Sequence, residues 1–180
     1  RRPEKMDDYP QQLVHPHRLF DGTEVVIRPI RPEDAAIEQD FVRGLSEDSR
    51  YNRFMGQLRE LAPRKLEYLT QIDYDQHMAL IATVVRDGRE VEIGVARYVV
   101  TPGSDSCEFA ITVDDAWQGT GVAGILMLEL FEAARRRELK AMVGYVLASN
   151  HKMLKFCRQL GFEFHRDEGG GDTINVVKAL

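Results

Sequence analysis

Cysteine is nearly missing from this chain. Cys107 and Cys157 are the only two, and they form no Cys-x-x-Cys pair. That leaves no thiolate cage for a structural zinc and suits a reducing compartment; no metal is expected. Long apolar runs are missing too. None approaches the ~20 residues that cross a bilayer, and no signal peptide is visible, so the expected location is cytoplasmic and off the membrane. Basic residues are in deficit: 24 Lys and Arg stand against 29 Asp and Glu, a net charge of −5. That argues against nucleic acid as a partner, which requires a basic footprint, and is compatible with cationic substrates. Internal repeats are also lacking.

What is present describes a soluble globular protein. With 180 residues, 43% hydrophobic and 29% charged, the chain is long enough to bury a substantial core. Residues 1–18 stand apart. They begin with Arg, carry prolines at 3, 10 and 16, and show neither helical nor strand periodicity. They read as a flexible linker from an upstream domain, with a single domain over 19–180. Asp21-Gly22 turns the chain into a strand at Val25–Arg28, and Glu33 and Asp34 open a helix to about Leu45. Ser46 is placed to cap a short helix ending near Met55, and Pro63 starts another reaching about Ile72. On the short helix, Arg50, Tyr51, Arg53 and Phe54 either wall a substrate or form a half-buried face. Met78–Arg86 and Val91–Val100 make a hairpin across Asp87-Gly88, followed by a third strand over 106–113. A helix over 122–137, a strand over 141–147 and a helix over 151–160 follow. A last pair of strands, 162–166 and 173–178, flanks a loop, 167–172, expected to be mobile.

The chemistry concentrates where the third strand meets the long helix, in Asp114-Asp115-Ala116-Trp117-Gln118-Gly119-Thr120-Gly121-Val122-Ala123-Gly124. A strand that ends in a small-residue turn and opens a helix is an anion site. The first-turn amides have no intrahelical partners, and the helix dipole adds partial positive charge there. Gly119-x-Gly121-x-x-Gly124 also fits the dinucleotide fingerprint, which demands an acid at the end of the next strand. Here that strand runs into Ala148-Ser149-Asn150 instead. The dinucleotide reading fails and the phosphate reading stands.

Two motifs together carry a resemblance. Gln118-x-x-Gly121-x-Ala123, and downstream Asn150-x-x-Met153-Leu154-x-x-Cys157-x-x-Leu160-Gly161-Phe162, resemble the signatures of the GNAT superfamily of N-acetyltransferases in order and spacing. The resemblance covers residues 19–180. It implies an α/β (mixed α+β) fold: a central, mostly antiparallel sheet of about six to seven strands flanked by helices. It also implies acetyl-CoA as co-substrate. Its pyrophosphate would lie on Gln118, Gly119, Thr120, Gly121, Val122, Ala123 and Gly124. The pantetheine arm would lie along the backbone of Ile111, Thr112 and Val113, supported by Asn150 from the facing strand. From the residues alone, Asn150 reads better as a plain helix N-cap. Arg135, Arg136 and Arg137 either complement the helix C-terminus or lie near the cofactor's outer phosphate.

Acetyl transfer to an amine needs a held acyl donor, donors for the developing oxyanion and a neutral amine. A free lysine has a pKa of ~10.4, so roughly one in a few thousand is neutral at pH 7. A positioned carboxylate offsets that cost. Strand alternation puts Cys107, Phe109, Ile111 and Val113 on one face and Glu108, Ala110 and Thr112 on the other. Glu108 is the one acid inside the strand leading to the phosphate loop. By pattern it is either solvated or catalytic; the resemblance, since many GNAT enzymes carry a glutamate base on this strand, favours catalysis. Many members have a tyrosine seven residues after the motif Asn, as acid for the departing thiolate. Here that position is Cys157, which reads as a core residue.

Within the superfamily, several stretches look closest to the domain found in bacterial protein lysine acetyltransferases of the Pat type. They are Asp21-Gly22-Thr23, Arg28-Pro29-Ile30-Arg31-Pro32-Glu33-Asp34, Phe41-Val42-Arg43-Gly44-Leu45-Ser46, Ser49-Arg50-Tyr51 and Asp73-Tyr74. That resemblance implies a protein lysine substrate, typically on an AMP-forming acyl-CoA synthetase. Two alternatives stay open: a GNAT enzyme acting on a small amine, and a module that senses acetyl-CoA without turnover.

Overall fold

The hairpin at the centre of the chain organises the sheet. The computed structural model describes residues 8–166 and 171–180. Strands β1 (His15–Arg18) and β2 (Glu24–Pro29) lead to helices α1 (Ala35–Gly44), α2 (Glu47–Phe54) and α3 (Pro63–Thr70). The long strands β3 (His77–Arg86), β4 (Arg89–Val100) and β5 (Ser106–Val113) follow, then α4 (Val122–Arg136) and β6 (Ala141–Leu147). Helix α5 (His151–Gln159) and strands β7 (Glu163–Arg166) and β8 (Thr173–Ala179) complete the chain. Among the described residues the strands form one eight-stranded mixed sheet, ordered β1-β2-β3-β4-β5-β6-β8-β7. Only the β5–β6 pair is parallel. This is the expected mixed, mostly antiparallel sheet, longer at its edges. No helix among the described residues is long and apolar enough to cross a membrane.

Local signals explain most boundaries. Asp87 and Gly88 both take positive φ, 52° and 73°, as a two-residue hairpin turn between twisted strands requires. The Ser46 side chain accepts from the Ser49 amide and opens α2, and Pro63 takes the first position of α3. Before α1, Arg28 and Asp34 form a buried two-pronged ion pair at 2.7 and 2.6 Å. Asp34 also accepts from the Arg31 amide at 2.8 Å.

Two apolar clusters cover the two faces of the sheet. On one, Leu126, Met127, Leu130 and Phe131 of α4 pack on inward residues of β2–β6 and on Cys157 of α5. On the other, Phe41 and Val42 of α1 and Leu45 just after it join Leu69 of α3 against Ala79, Ile81 and Val95. One bulge breaks the alternation. Between Ala82↔Gly94 and Thr83↔Glu92 the register slips, and Ile93 is the extra residue. Ile93 packs in the α4 cluster, and a side chain at Gly94 would touch Leu126. Two successive positions thus face α4, and Glu92 is turned to the face shared by Val95 and Arg97.

One expectation needs correcting. Residues 8–18 are not a featureless linker. Gln11–Leu13 form a 3₁₀ turn, Leu13 is buried, and His15–Arg18 pair with Glu24–Ile27. Tyr9 donates to the Pro29 carbonyl at 2.7 Å. Strand β1 exists because β2 offers an unfilled edge, a tertiary cause that leaves no period in four residues. Residues 1–7 of the expected linker and 167–170 of the expected mobile loop lie outside the described residues.

Candidate active site

The loop between β5 and α4 is built by its own short bonds. The Asp114 carboxylate accepts from the Ala116 amide at 2.9 Å and caps a 3₁₀ turn over Asp115–Trp117. The Thr120 hydroxyl donates to the Trp117 carbonyl at 2.6 Å. Gly119 and Gly121 take φ of 77° and 93°, a region closed to most side chains. A side chain at Gly121 would also meet the ring of Phe20 at 3.0 Å. Ile125 is the first residue whose amide finds a helical acceptor, the Gly121 carbonyl at 3.2 Å. The amides of Val122, Ala123 and Gly124 open onto the loop, as an anion site requires. Asp115 ties the loop to the other half of the molecule, accepting from the Ser46 amide at 2.9 Å and the Ser49 hydroxyl at 2.8 Å. Gln118 donates to the same carboxylate at 3.2 Å.

Beside this loop the sheet splits. Strands β5 and β6 pair only through Ser106↔Ala141, Cys107↔Met142 and Glu108↔Val143. Beyond that rung β5 stays bonded to β4, down to Val113↔Gly94, while β6 stays bonded to β8. The edge of β5 that carries Ile111, Thr112 and Val113 therefore faces a gap. Next to the fork the Phe109 ring lies so close to Gly144 that a Cβ there would come within 3.0 Å of three ring atoms. That ring is buried and stacked 5.0 Å from Phe162. Asn150 stands past the far end of β6 and caps α5, its side-chain oxygen accepting from the Met153 amide at 3.3 Å. The capping reading of Asn150 is thus the one visible here.

Glu108 occupies the last rung before the fork and is exposed on the α1–α3 face, opposite the α4 cluster. Below it the face carries buried charge. Glu38 of α1 lies 3.7 Å from Arg97 of β4, which donates to the Leu69 carbonyl and to His77 Nε2, each at 3.0 Å. Burial, and then the Glu38 carboxylate, pushes the Glu92 carboxyl well above its usual range. Burial, and then Arg97, pushes His77 down to about 4, and it accepts as a neutral ring. Burial and the like charge of Arg97 lower half-buried Arg53 to about 10, against the pull of Glu38 and Glu108. With Phe54 and Thr112, Arg53 lines a narrow pocket over this cluster.

Sequence reasoning missed this cluster. Glu38 shares a helix face with Phe41, Val42 and Leu45, a visible oddity, but the bulge at Ile93 hides Glu92 from any alternation rule. Other expectations resolve by position. Cys157 is fully buried, and burial raises its thiol to about 11, which makes it a core residue and a poor proton donor. Arg135, Arg136 and Arg137 sit at the opposite end of α4 from the loop, about 20 Å away at 1.5 Å per residue. There Arg136 pairs with Glu132 and Arg137 with Asp75. They complement the helix C-terminus and cannot reach a ligand at its start.

Residues 24–163 match the acetyltransferase (GNAT) domain family. The chain belongs to the GNAT acetyltransferase family. GNAT enzymes are N-acetyltransferases that use acetyl-CoA, and the loop, fork and acidic strand described above lie within the matched residues. The chain is similar to the acetyltransferase PA5475 of Pseudomonas aeruginosa, 40% identical over 162 residues, covering 90% of this chain and 86% of that protein. It is 28% identical over 161 residues to acetyltransferase Pat of Mycolicibacterium smegmatis, covering 86% of this chain and 46% of that protein. It thus spans about half of that longer relative. Among solved structures, the GNAT domain of S. lividans PAT superposes with a TM-score of 0.87 at 28% identity, over 96% of this chain and all of that one. A cAMP-binding acyltransferase from Mycobacterium smegmatis superposes with a TM-score of 0.63 at 25% identity, over 93% of this chain and 48% of that one.

Proposed function

We propose that this GNAT enzyme acetylates the side-chain amine of lysines in proteins, with Glu108 as general base. The observation that carries the proposal is the place of Glu108, at the rung where β5 and β6 part and on the open face. Acetyl-CoA supplies an activated acyl thioester when bound. The amides of Val122, Ala123 and Gly124, with Gly119, Thr120, Gly121 and the Gln118 side chain, hold its pyrophosphate. The unpaired edge of Ile111, Thr112 and Val113 takes the pantetheine arm, with Asn150 across the gap. Glu108 then accepts the proton of the incoming ammonium, whose removal at neutral pH costs about 4–5 kcal/mol. Attack is direct, with both substrates bound together. Buried Cys157 gives no proton to the departing thiolate, and solvent does.

A protein acceptor is favoured by the surface around Glu108. Tyr51, Met55 and Tyr68 of α2 and α3 and the turn between them are exposed at 47%, 45% and 49%. Exposed aromatic and apolar side chains on these neighbouring elements suit a macromolecular partner. The similarity to Pat proteins supports the same reading, with an AMP-forming acyl-CoA synthetase as the first candidate, silenced when its lysine loses charge.

Labelled acetyl-CoA offered with a panel of proteins, polyamines and amino acids tests the acceptor. Label in small amines alone would overturn the protein reading. Glu108→Gln tests the base. Acetyl-CoA affinity should hold, and turnover at pH 7 should fall by roughly 10²–10⁴. Part of that rate should return at high pH, where free amine exists unaided. Normal turnover at pH 7 would place the base elsewhere.

A further inference from the structure

We propose that His15, His17 and Glu129 form a site for one divalent transition-metal ion of the zinc class, which clips strand β1 to helix α4. The two imidazoles are two residues apart on an edge strand and lie on one face. They pair opposite Ile27 and Val25, both buried in the cluster under α4. Pro16 between them fixes its own φ and so presets their spacing. Glu129 comes from the flank of α4, its side chain only 17% exposed. His15 Nδ1 lies 3.0 Å from each carboxylate oxygen, and His17 Nε2 lies 2.9 Å from one of them. The three donor atoms all fall within 4.8 Å of one another.

Tetrahedral zinc at 2.0–2.2 Å from nitrogen and oxygen holds its ligands roughly 3.3 Å apart. The nitrogen–oxygen distances of 2.9 and 3.0 Å are a few tenths of an ångström short of that spacing, so small side-chain adjustments admit the ion. Two neutral imidazoles and one carboxylate suit zinc and its first-row neighbours. They leave one position for water and one uncompensated positive charge. The two scarce cysteines take no part, which is why the sequence pointed to no metal. Glu129 lies 112 residues beyond His17 along the chain, and no local spacing links it to the two histidines.

The site is on the α4 face of the sheet, away from Glu108, so its role is structural. Among the described residues strand β1 pairs on one side only, with β2. The turn after it carries Phe20, whose amide donates to the Thr120 carbonyl at 3.4 Å and whose ring lies over Gly121. An ion between β1 and α4 anchors that turn against the first turn of α4.

Calorimetric titration of the full chain, stripped by chelator, with Zn²⁺ tests the proposal. Co²⁺ serves as the spectroscopic probe. The expected result is one ion per chain, visible d–d bands with Co²⁺, and slower amide exchange at residues 15–18 on Zn²⁺ addition. His17→Ala and Glu129→Ala should each abolish binding while circular dichroism stays that of the parent. Alanine at 129 suits the helix. His151→Ala, outside the cluster, should bind as the parent does. Lack of saturable binding by the folded parent, or binding that survives both cluster variants, would overturn the site. Unchanged exchange at 15–18 would overturn the clip.

Discussion

Gly144→Ala is the substitution most directly priced by the geometry of the fork. The new Cβ would come within 3.0 Å of three atoms of the Phe109 ring, where ordinary carbon contacts lie near 3.5–4.0 Å. The ring has to move, its nearest atom by about 1–1.5 Å. It cannot simply swing aside, because Phe162 stacks on it at 5.0 Å and Phe131 lies behind Phe162 at 5.9 Å. Overpacking of this kind costs about 1–3 kcal/mol. For a chain of this size that corresponds to a fall in Tm of roughly 2–12 °C. Displacement of the ring also shifts β5 against β6, so acetyl-CoA affinity should weaken with stability. Thermal denaturation and calorimetric titration of the same preparation read both. A variant with parental Tm and parental affinity would refute the view that this glycine and this ring set the fork.

Three further substitutions probe other parts of the molecule. Asp34→Asn strands the buried Arg28 guanidinium, which Glu90 still meets at 2.5 Å. Urea denaturation should show a loss near the lower end of the 3–5 kcal/mol expected for a broken buried pair. His77 is neutral in the fold with its pKa down near 4, while the unfolded ring titrates near 6.5. Acidification through that window charges the unfolded chain first and should remove about 2–3 kcal/mol between pH 6.5 and 4. His77→Gln should flatten the slope; comparing the two chains isolates His77 from Glu92, whose raised pKa acts in the opposite direction. Identical pH profiles would rule the assignment out. Cys157→Ala should cost about 1 kcal/mol of stability and change turnover less than tenfold. A hundredfold loss of turnover at unchanged Tm would show that the thiol does chemistry.

The bounds of β5 and β6 were legible in the sequence because period-two apolar runs and flanking turn residues are local signals. Ser46, Asn150 and Pro63 announced helix starts for the same reason. The glycine loop and Glu108 were legible as a motif and its strand. What was hidden is what one part of the chain does to another. Strand β1 forms on the edge of β2, and its His-Pro-His-Arg has no strand character of its own. Strand β8 inserts between β6 and β7, an order that no hairpin signal specifies. One extra residue in β4 turns Glu92 toward Glu38 and Arg97, so a strict period of two puts Glu92 on the wrong face.

Asp115 accepts at once from the start of α2 and from the Gln118 side-chain amide of the glycine loop. Whatever draws Gln118 toward a bound anion alters the electron density left for Ser46 and Ser49. Whatever shifts α2 alters the hold on Gln118 in turn. Such a connection is reciprocal by thermodynamic necessity. If a docked acceptor tightens the grip on the donor, a bound donor tightens the grip on the acceptor by the same factor. The size of that coupling then becomes a property of one carboxylate on a loop rather than of either substrate.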